Sequence, residues 1–268
     1  MATPIPRSLD VDFAGVPRRW IADSAVATAI SNGINLLFPH GERFFVRSVS
    51  KFLDRVHDPE LRAQARAFFK QEAHHARAHE AFNTVLRAHG YEVDRFLARY
   101  RAIAMWIEAR MPDAINLAGT AASEHFTAIL AEGAFTTGLL DLIEPRMQRL
   151  LAWHAAEELE HKAVAFDVMQ SVSRSYALRI AGLVYATILL GGFWLAATTV
   201  LLRQDAIGWR AVLREVRELR ARDPVIRRVF VTGIRQYVRR GFHPRDNPTD
   251  ELAARWLAAH NISLPEAA

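Results

Sequence analysis

The chain has no cysteine in its 268 residues, which removes disulfides, thiolate-held zinc, iron–sulfur clusters and cysteine nucleophiles together. Any metal must then rest on imidazole and carboxylate, a donor set that suits Fe, Mn or Zn rather than Cu(I). Alternating polar and apolar stretches are also missing, so no strands are expected, while apolar side chains recur at helical spacing along most of the length. Residues 1–13 have no apolar run and carry Pro4, Pro6, Arg7 and two Asp, so a secretory leader is not expected. The expected compartment is the cytoplasm, with the protein peripheral to or embedded at the inner membrane face as the further option.

What is present is an apolar composition of 51%, ample for a core, and a net charge of +5 that is unevenly spread. Between Arg203 and Arg240 stand eleven Arg against Asp205, Glu215, Glu218 and Asp223. Such a block is most often a solvated helix face; its functional counterparts are an anionic membrane surface or an acidic carrier protein. Nucleic acid is not expected as a partner, because no aromatic-basic platform or recognition motif accompanies the charge.

Two Glu-x-x-His steps carry the chemistry: Glu72-Ala73-His74-His75 and Glu158-Leu159-Glu160-His161. Each places a carboxylate and an imidazole on one helix face. A single such step is commonly a solvated i, i+3 pair. Here each is preceded by a lone Glu at hairpin distance, Glu42 by 30 residues before Glu72 and Glu124 by 34 before Glu158. At about 1.5 Å rise per residue, half a helix, a short loop and half a returning helix bring such a pair to one height in a bundle. The pattern is that of binuclear carboxylate bundles, and it predicts two divalent ions on Glu42, Glu72, His75, Glu124, Glu158 and His161, with Fe first and Mn or Zn as the other fitting ions.

Further groups share these faces. Glu72, His75 and His79 fall within roughly 60° on a helical wheel, and His154, Glu157, Glu158 and His161 within roughly 100°. His79 is therefore a further candidate ligand, and His154 a candidate ligand or proton carrier. Glu157 competes with Glu158; Glu158 has the spacing of the ligand, leaving Glu157 as candidate base, as a group that orients a ligand, or as a shifting ligand. His154 and Glu157 are the candidate catalytic pair. His74 points away from Glu72 and is expected exposed, as are His57, His89 and His260; His125 cannot share the face of Glu124, and His40 stays open.

The expected fold is all-α, a ferritin-like four-helix bundle core with additional N- and C-terminal helices. Helices are expected over 20–37, halted by Pro39; from the Pro39-His40-Gly41 turn to about 56; from Asp58-Pro59 to Gly90; over 93–111; from Asp113 to near Gly133; and onward from Pro145 as one long helix. The helix at 93–111 serves as the crossover between the two hairpins. Residues 180–202 hold no charge for 23 residues, about 34 Å as a helix and enough for a bilayer core. Gly191-Gly192 divides this run, and Arg174, Arg179, Arg203 and Arg210 make both flanks basic, so a single span is disfavoured against a membrane-surface hairpin or a helix buried by the bundle or a homodimer partner. Helices near 207–221, from Asp223-Pro224 to Arg240, and near 249–260 complete the chain. The division expected is 1–175 as metal-binding bundle and 176–268 as apolar helix plus basic extension packed on it within one structural domain.

Several stretches together resemble one family: Phe38-Pro39-His40-Gly41-Glu42-Arg43-Phe44-Phe45; Gln71 to His75 with His79 and Asn83; Glu124-His125-Phe126-Thr127; and Trp153-His154 through Glu157, Glu158, His161 and Lys162 to Asp167. The chain resembles the bacterial predicted metal-dependent hydrolases, a family itself similar to ferritin-like di-iron proteins. That resemblance implies metal dependence and names no substrate. Three functions follow as expectations. The first is an oxygen-dependent di-iron oxidation of a hydrophobic or acyl substrate, suggested by the ligand set beside an apolar helix. A metal-dependent hydrolase using metal-activated water on an ester or amide is the alternative. The third is a non-catalytic, metal-stabilised and membrane-associated scaffold.

Overall fold

The computed structural model describes residues 3–222 and 225–259, and among them it is all-α, the nearest thing to a strand being an isolated bridge between Ile21 and Ile143. The helices are α1 (Ala25–Asn35), α2 (Phe38–Ser50), α3 (Pro59–Ala88), α4 (Asp94–Glu108), α5 (Asp113–Thr136), α6 (Pro145–His161), α7 (Val164–Val172), α8 (Tyr176–Gln204), α9 (Trp209–Arg222), α10 (Val225–Tyr237) and α11 (Asp250–Ala259). Helix starts follow local chemistry. Asp58 accepts from the Glu60 amide ahead of Pro59, and Glu144 accepts from the Arg146 and Met147 amides ahead of Pro145. In both, the carboxylate satisfies donors a helix leaves open and Pro occupies a position that needs no N–H.

Four helices close a ring: α2 packs on α3 and on α5, and α6 packs on α5 and on α3. The two hairpins expected from the Glu spacing are α2–α3 and α5–α6, and α4 crosses between them. Core side chains such as Phe68, Leu117, Val168 and Met169 fill one end, while Trp20, Phe82, Met147 and Trp153 fill the other.

Some boundaries differ from expectation. The first helix starts at Ala25 rather than near 20, because Ala22 and Asp23 turn through positive φ (44° and 54°) and Trp20 is held in the core, its Nε1 donating to Asn32. Pro39 halts nothing: it sits in the first turn of α2, where its missing N–H is harmless, so His40 and Gly41 are helical. The stretch after Pro145 is two helices. They part at Lys162, whose ammonium is drawn to the Asn247 carbonyl, the Thr249 hydroxyl and the Asp250 carboxylate. The expected start at Asp223-Pro224 and the last residue of the closing helix, His260, lie outside the described residues.

Helix α8 lies along α1 and α5. Gly182 lets it approach the Ala118 backbone, and Gly33 of α1 makes room for Thr198; a Cβ at either glycine would overlap its neighbour. Its ends are tied as well: Arg179 donates to the Phe242 and Arg239 carbonyls, and Asp205 after the last turn accepts from Tyr91 and Arg18. Among the described residues it is the helix long and apolar enough to cross a membrane, yet only 22% of its most apolar window is buried. One side is thus fixed to the body and the other faces outward.

Candidate metal centre

The ring of helices aims its carboxylates inward. Glu42 comes from α2, Glu72 and His75 from α3, Glu124 from α5, and Glu158 and His161 from α6; none is more than 4% exposed. Each Glu-x-x-His step works as the wheel predicts, since residues three apart on a helix overlie one another. The structure therefore brings all six residues to one place.

Their atoms meet at separations that ordinary hydrogen bonding does not explain. His161 Nε2 is 3.1 Å from Glu124 Oε2, 3.3 Å from Glu72 Oε1 and 3.5 Å from Glu158 Oε1. His75 Nδ1 is 3.6 Å from Glu72 Oε1 and 3.7 Å from Glu158 Oε1. Glu72 and Glu158 thus stand between the two imidazoles, where bridging carboxylates belong. Nine atoms here are buried without a hydrogen-bond partner: both oxygens of Glu42, Glu72 and Glu124, Glu158 Oε2, His75 Nδ1 and His161 Nε2. Each such orphan costs about 1–3 kcal/mol, and more when charged. Two donors each about 2.0–2.2 Å from one cation lie roughly 3–3.5 Å apart. The orphans therefore have the chemistry and spacing of a cation's ligand shell, and the residues fit a bound divalent metal.

Outside these six, each imidazole is held from behind. His75 Nε2 is 3.0 Å from Glu157 Oε2, and Glu157 Oε1 accepts from the Arg7 amide at 3.0 Å. His161 Nδ1 is 3.0 Å from Gln71 Oε1, and the Gln71 amide donates to Glu160. Arg7 also grips Glu160 with both terminal nitrogens at 2.9 Å. Both oxygens of Glu157 are therefore engaged away from the carboxylate cluster, one of them on His75.

His154 occupies the position closest to a further ligand. Its Nε2 lies 2.8 Å from Glu158 Oε1 and 3.7 Å from Glu42 Oε1, while its Nδ1 meets His79 Nε2. His79 is placed one step farther out: its Nδ1 meets Asn35 Oδ1, and its ring, like that of His154, packs against Phe38. Glu42, His79 and His154 still offer donor atoms within 4.8 Å of one another. The other histidines have structural settings. His125 is buried on the Gly233 carbonyl, and His40 packs on Tyr100. His57 is exposed as expected, but His74 and His89 are only half-exposed, holding the Arg7 and Val16 carbonyls through their rings.

Electrostatics follow from burial. The Glu42 carboxyl is pushed well above its ordinary range by burial and by Glu158 and Glu124; Glu72 likewise by burial and Glu124. Burial and Glu158 lift Glu124 to about 7. Burial also acts on Glu158, but His161 and His154 outweigh it and hold this carboxylate well below the usual range. His161 is the converse: burial opposes its charge, and Glu158 and Glu124 raise it well above the ordinary value. Burial lifts Glu157 to about 8 despite Arg7. Without metal the cluster thus shares protons where it would share cations.

Two apolar cavities reach this cluster from opposite sides of Phe38. One, about 430 Å³, runs among α1, α5, α6 and α8 and ends at His154 and Glu158. The other, about 90 Å³, lies among α2, α4, α5 and α8 and ends at Glu42. Ile34, Phe38 and Thr127 line both.

Sequence reasoning did not foresee Arg7, the Asn35 contact, or the bond by which Gln71 holds His161. Only Gln71 left a signal, one residue before the first motif and about one turn from His75; Arg7 lies 150 residues from Glu157, beyond any local pattern.

A family model described as predicted metal-dependent hydrolase matches residues 5–248, a stretch that holds every residue of the cluster. No curated protein and no solved structure matches the chain. The chain belongs to the predicted metal-dependent hydrolase family and is a metal-dependent enzyme.

Proposed function

From membership in that family, we propose that the protein hydrolyses an ester or amide of an apolar acyl substrate at a binuclear centre held by Glu42, Glu72, His75, Glu124, Glu158 and His161. The observation that carries the reading is the set of nine orphaned donor atoms converging in a dry interior that two apolar cavities reach. Two divalent cations, when bound, supply Lewis acidity that polarises a carbonyl and makes water more acidic.

The chain's own residues do the rest. The larger cavity takes the apolar part of the substrate and excludes bulk water, as its lining is mostly hydrocarbon with few polar groups. His154 is the proton carrier, since it lines that cavity and its Nε2 lies among the carboxylates. Water adds its oxygen to the acyl carbon while His154 takes the proton; the bond to the leaving oxygen or nitrogen then breaks, and His154 returns that proton to it. His79 and Asn35 fix the His154 ring, so His79 serves here as its support and not as a ligand. Glu157 positions His75.

The test is turnover of p-nitrophenyl esters of stepped chain length under anaerobic conditions, with elemental analysis of the same sample. Hydrolysis without oxygen, restored by Zn or Mn after chelation, is expected. A second reading, oxygen-dependent oxidation with two Fe, is favoured by one observation: four carboxylates face only two well-placed imidazoles, a hard donor set suited to iron. Turnover that needs oxygen and a reductant, with an optical change when the reduced protein meets air, would select it over hydrolysis.

A further inference from the structure

Away from the metal cluster, the outer surfaces of α4 and α8 are anomalous. Along α8 the exposed positions Ala177, Ala181, Val184, Ile188 and Leu195 fall on one face, with Ile188 64% and Leu195 70% exposed. No charge interrupts this face between Arg179 and Arg203. The neighbouring α4 and the turn after it contribute a matching stripe, Arg99, Ile103, Trp106 and then Arg110, spaced by four, three and four residues, with Trp106 57% exposed. Tyr100 and Phe193 join the two helices edge to face at 4.7 Å. Contiguous exposed apolar surface of this kind marks an interaction site.

The charges around it identify the occupant. Exposed Arg174 and Arg203 stand at the two ends of α8, and Arg95, Arg99 and Arg101 are exposed on α4 with Arg110 exposed in the turn after it. The acidic residues of α4 are already engaged, Asp94 by Arg87 and Glu108 by Arg47. Arg110 stacks on Trp106 at 4.1 Å, so the aromatic ring and a cation sit together. Apolar side chains flanked by Arg, with Trp at the margin, match the acyl and headgroup layers of an anionic bilayer surface. A second copy fits worse: a two-fold interface sets like patch against like, and with basic residues at both ends either orientation brings Arg against Arg.

We propose that the outer faces of α4 and α8 dock flat on an anionic phospholipid bilayer. The same two helices wall the small cavity behind, through Tyr100 and Ala104 on α4 and Leu189, Leu190 and Phe193 on α8, and its far end is Glu42. The docking stands on the surface alone and is independent of the acyl-hydrolase reading above.

The experiment is flotation of the full chain with phosphatidylcholine vesicles, with and without phosphatidylglycerol, beside sedimentation of the free protein and hydrolysis of a short water-soluble ester. Wild type floats with the phosphatidylglycerol vesicles and less with the neutral ones, and salt weakens the binding. Ile188→Glu with Leu195→Glu lowers vesicle binding by about tenfold or more, as does Arg99→Glu with Arg110→Glu, while metal content, helicity and short-ester turnover stay. Absence of flotation, flotation that ignores both pairs of changes, or a dimer that Ile188→Glu with Leu195→Glu dissociates overturns the docking. Binding that behaves as stated while no ester is cleaved overturns the hydrolase reading and leaves the docking in place.

Discussion

The two hairpins carry the same sequence device, Glu followed by Glu-x-x-His, and fold it into unequal halves. On α2–α3, His75 turns Nδ1 to the cluster and is held from behind by the carboxylate of Glu157. On α5–α6, His161 turns Nε2 to the cluster and is held by the neutral amide of Gln71. Burial lifts Glu157 to about 8, so above that pH its bond to His75 carries a full charge, is roughly twice as strong as the neutral bond to His161 and raises the basicity of the imidazole. His154 adds a third imidazole beside Glu42 and Glu158 and none near Glu124. The two halves of the cluster, built from one motif, are therefore chemically distinct.

The largest effect should come from Glu72 and Glu158, the carboxylates between the two imidazoles, where the halves meet. Glu158→Ala is expected to lose both cations and at least about 10²-fold in turnover, since removing an orienting partner alone costs 10–100-fold. Elemental analysis decides it: a protein that keeps one ion per chain would make the halves independent. Chelation of the wild type should likewise lower the thermal midpoint, because orphaned carboxylates are then left uncompensated. Next, Glu157→Gln should cost about 10–100-fold in metal affinity, confined to one of the two ions in a titration.

Two histidines away from the cluster, half-buried His40 on α2 and buried His125 on α5, are lowered by burial to about 4. Their folded values lie below the ordinary 6.5, so unfolding takes up protons at acid pH. The stability this gives is fully present above about 6.5 and is lost as pH falls toward 4, by of order 2 kcal/mol for His125. Urea unfolding of His125→Gln at a series of pH values should show a flatter decline than wild type over that window. The smallest effect is expected at Gln71→Met, about tenfold or less in affinity for the other ion, because a neutral bond is lost. If it matched Glu157→Gln, the asymmetry drawn between the halves would fail.

Much of this was legible in the residues. The six converging groups, the all-α class, the helical crossover at α4 and the caps at Asp58 and Pro145 follow from spacing and local chemistry, which act over one or two helical turns. Three features did not. The break at Lys162 depends on partners 85 to 88 residues away. The start of α1 depends on Trp20 being anchored in the core. The roles of Glu157 and His79 depend on which neighbour claims each atom, and a helical wheel gives direction without giving partners. The charge-free run of α8 was visible, yet only packing shows that one side of it is already taken by α1 and α5.

The Arg7 contact has a consequence for biosynthesis. Its partner Glu157 lies 150 residues downstream, and a ribosome adding about 5–20 residues per second needs roughly 10–30 s to make that stretch. Throughout that interval the first hairpin exists without the group that seats His75. The centre can be completed only after α6 has emerged, since that helix carries Glu157 together with Glu158 and His161.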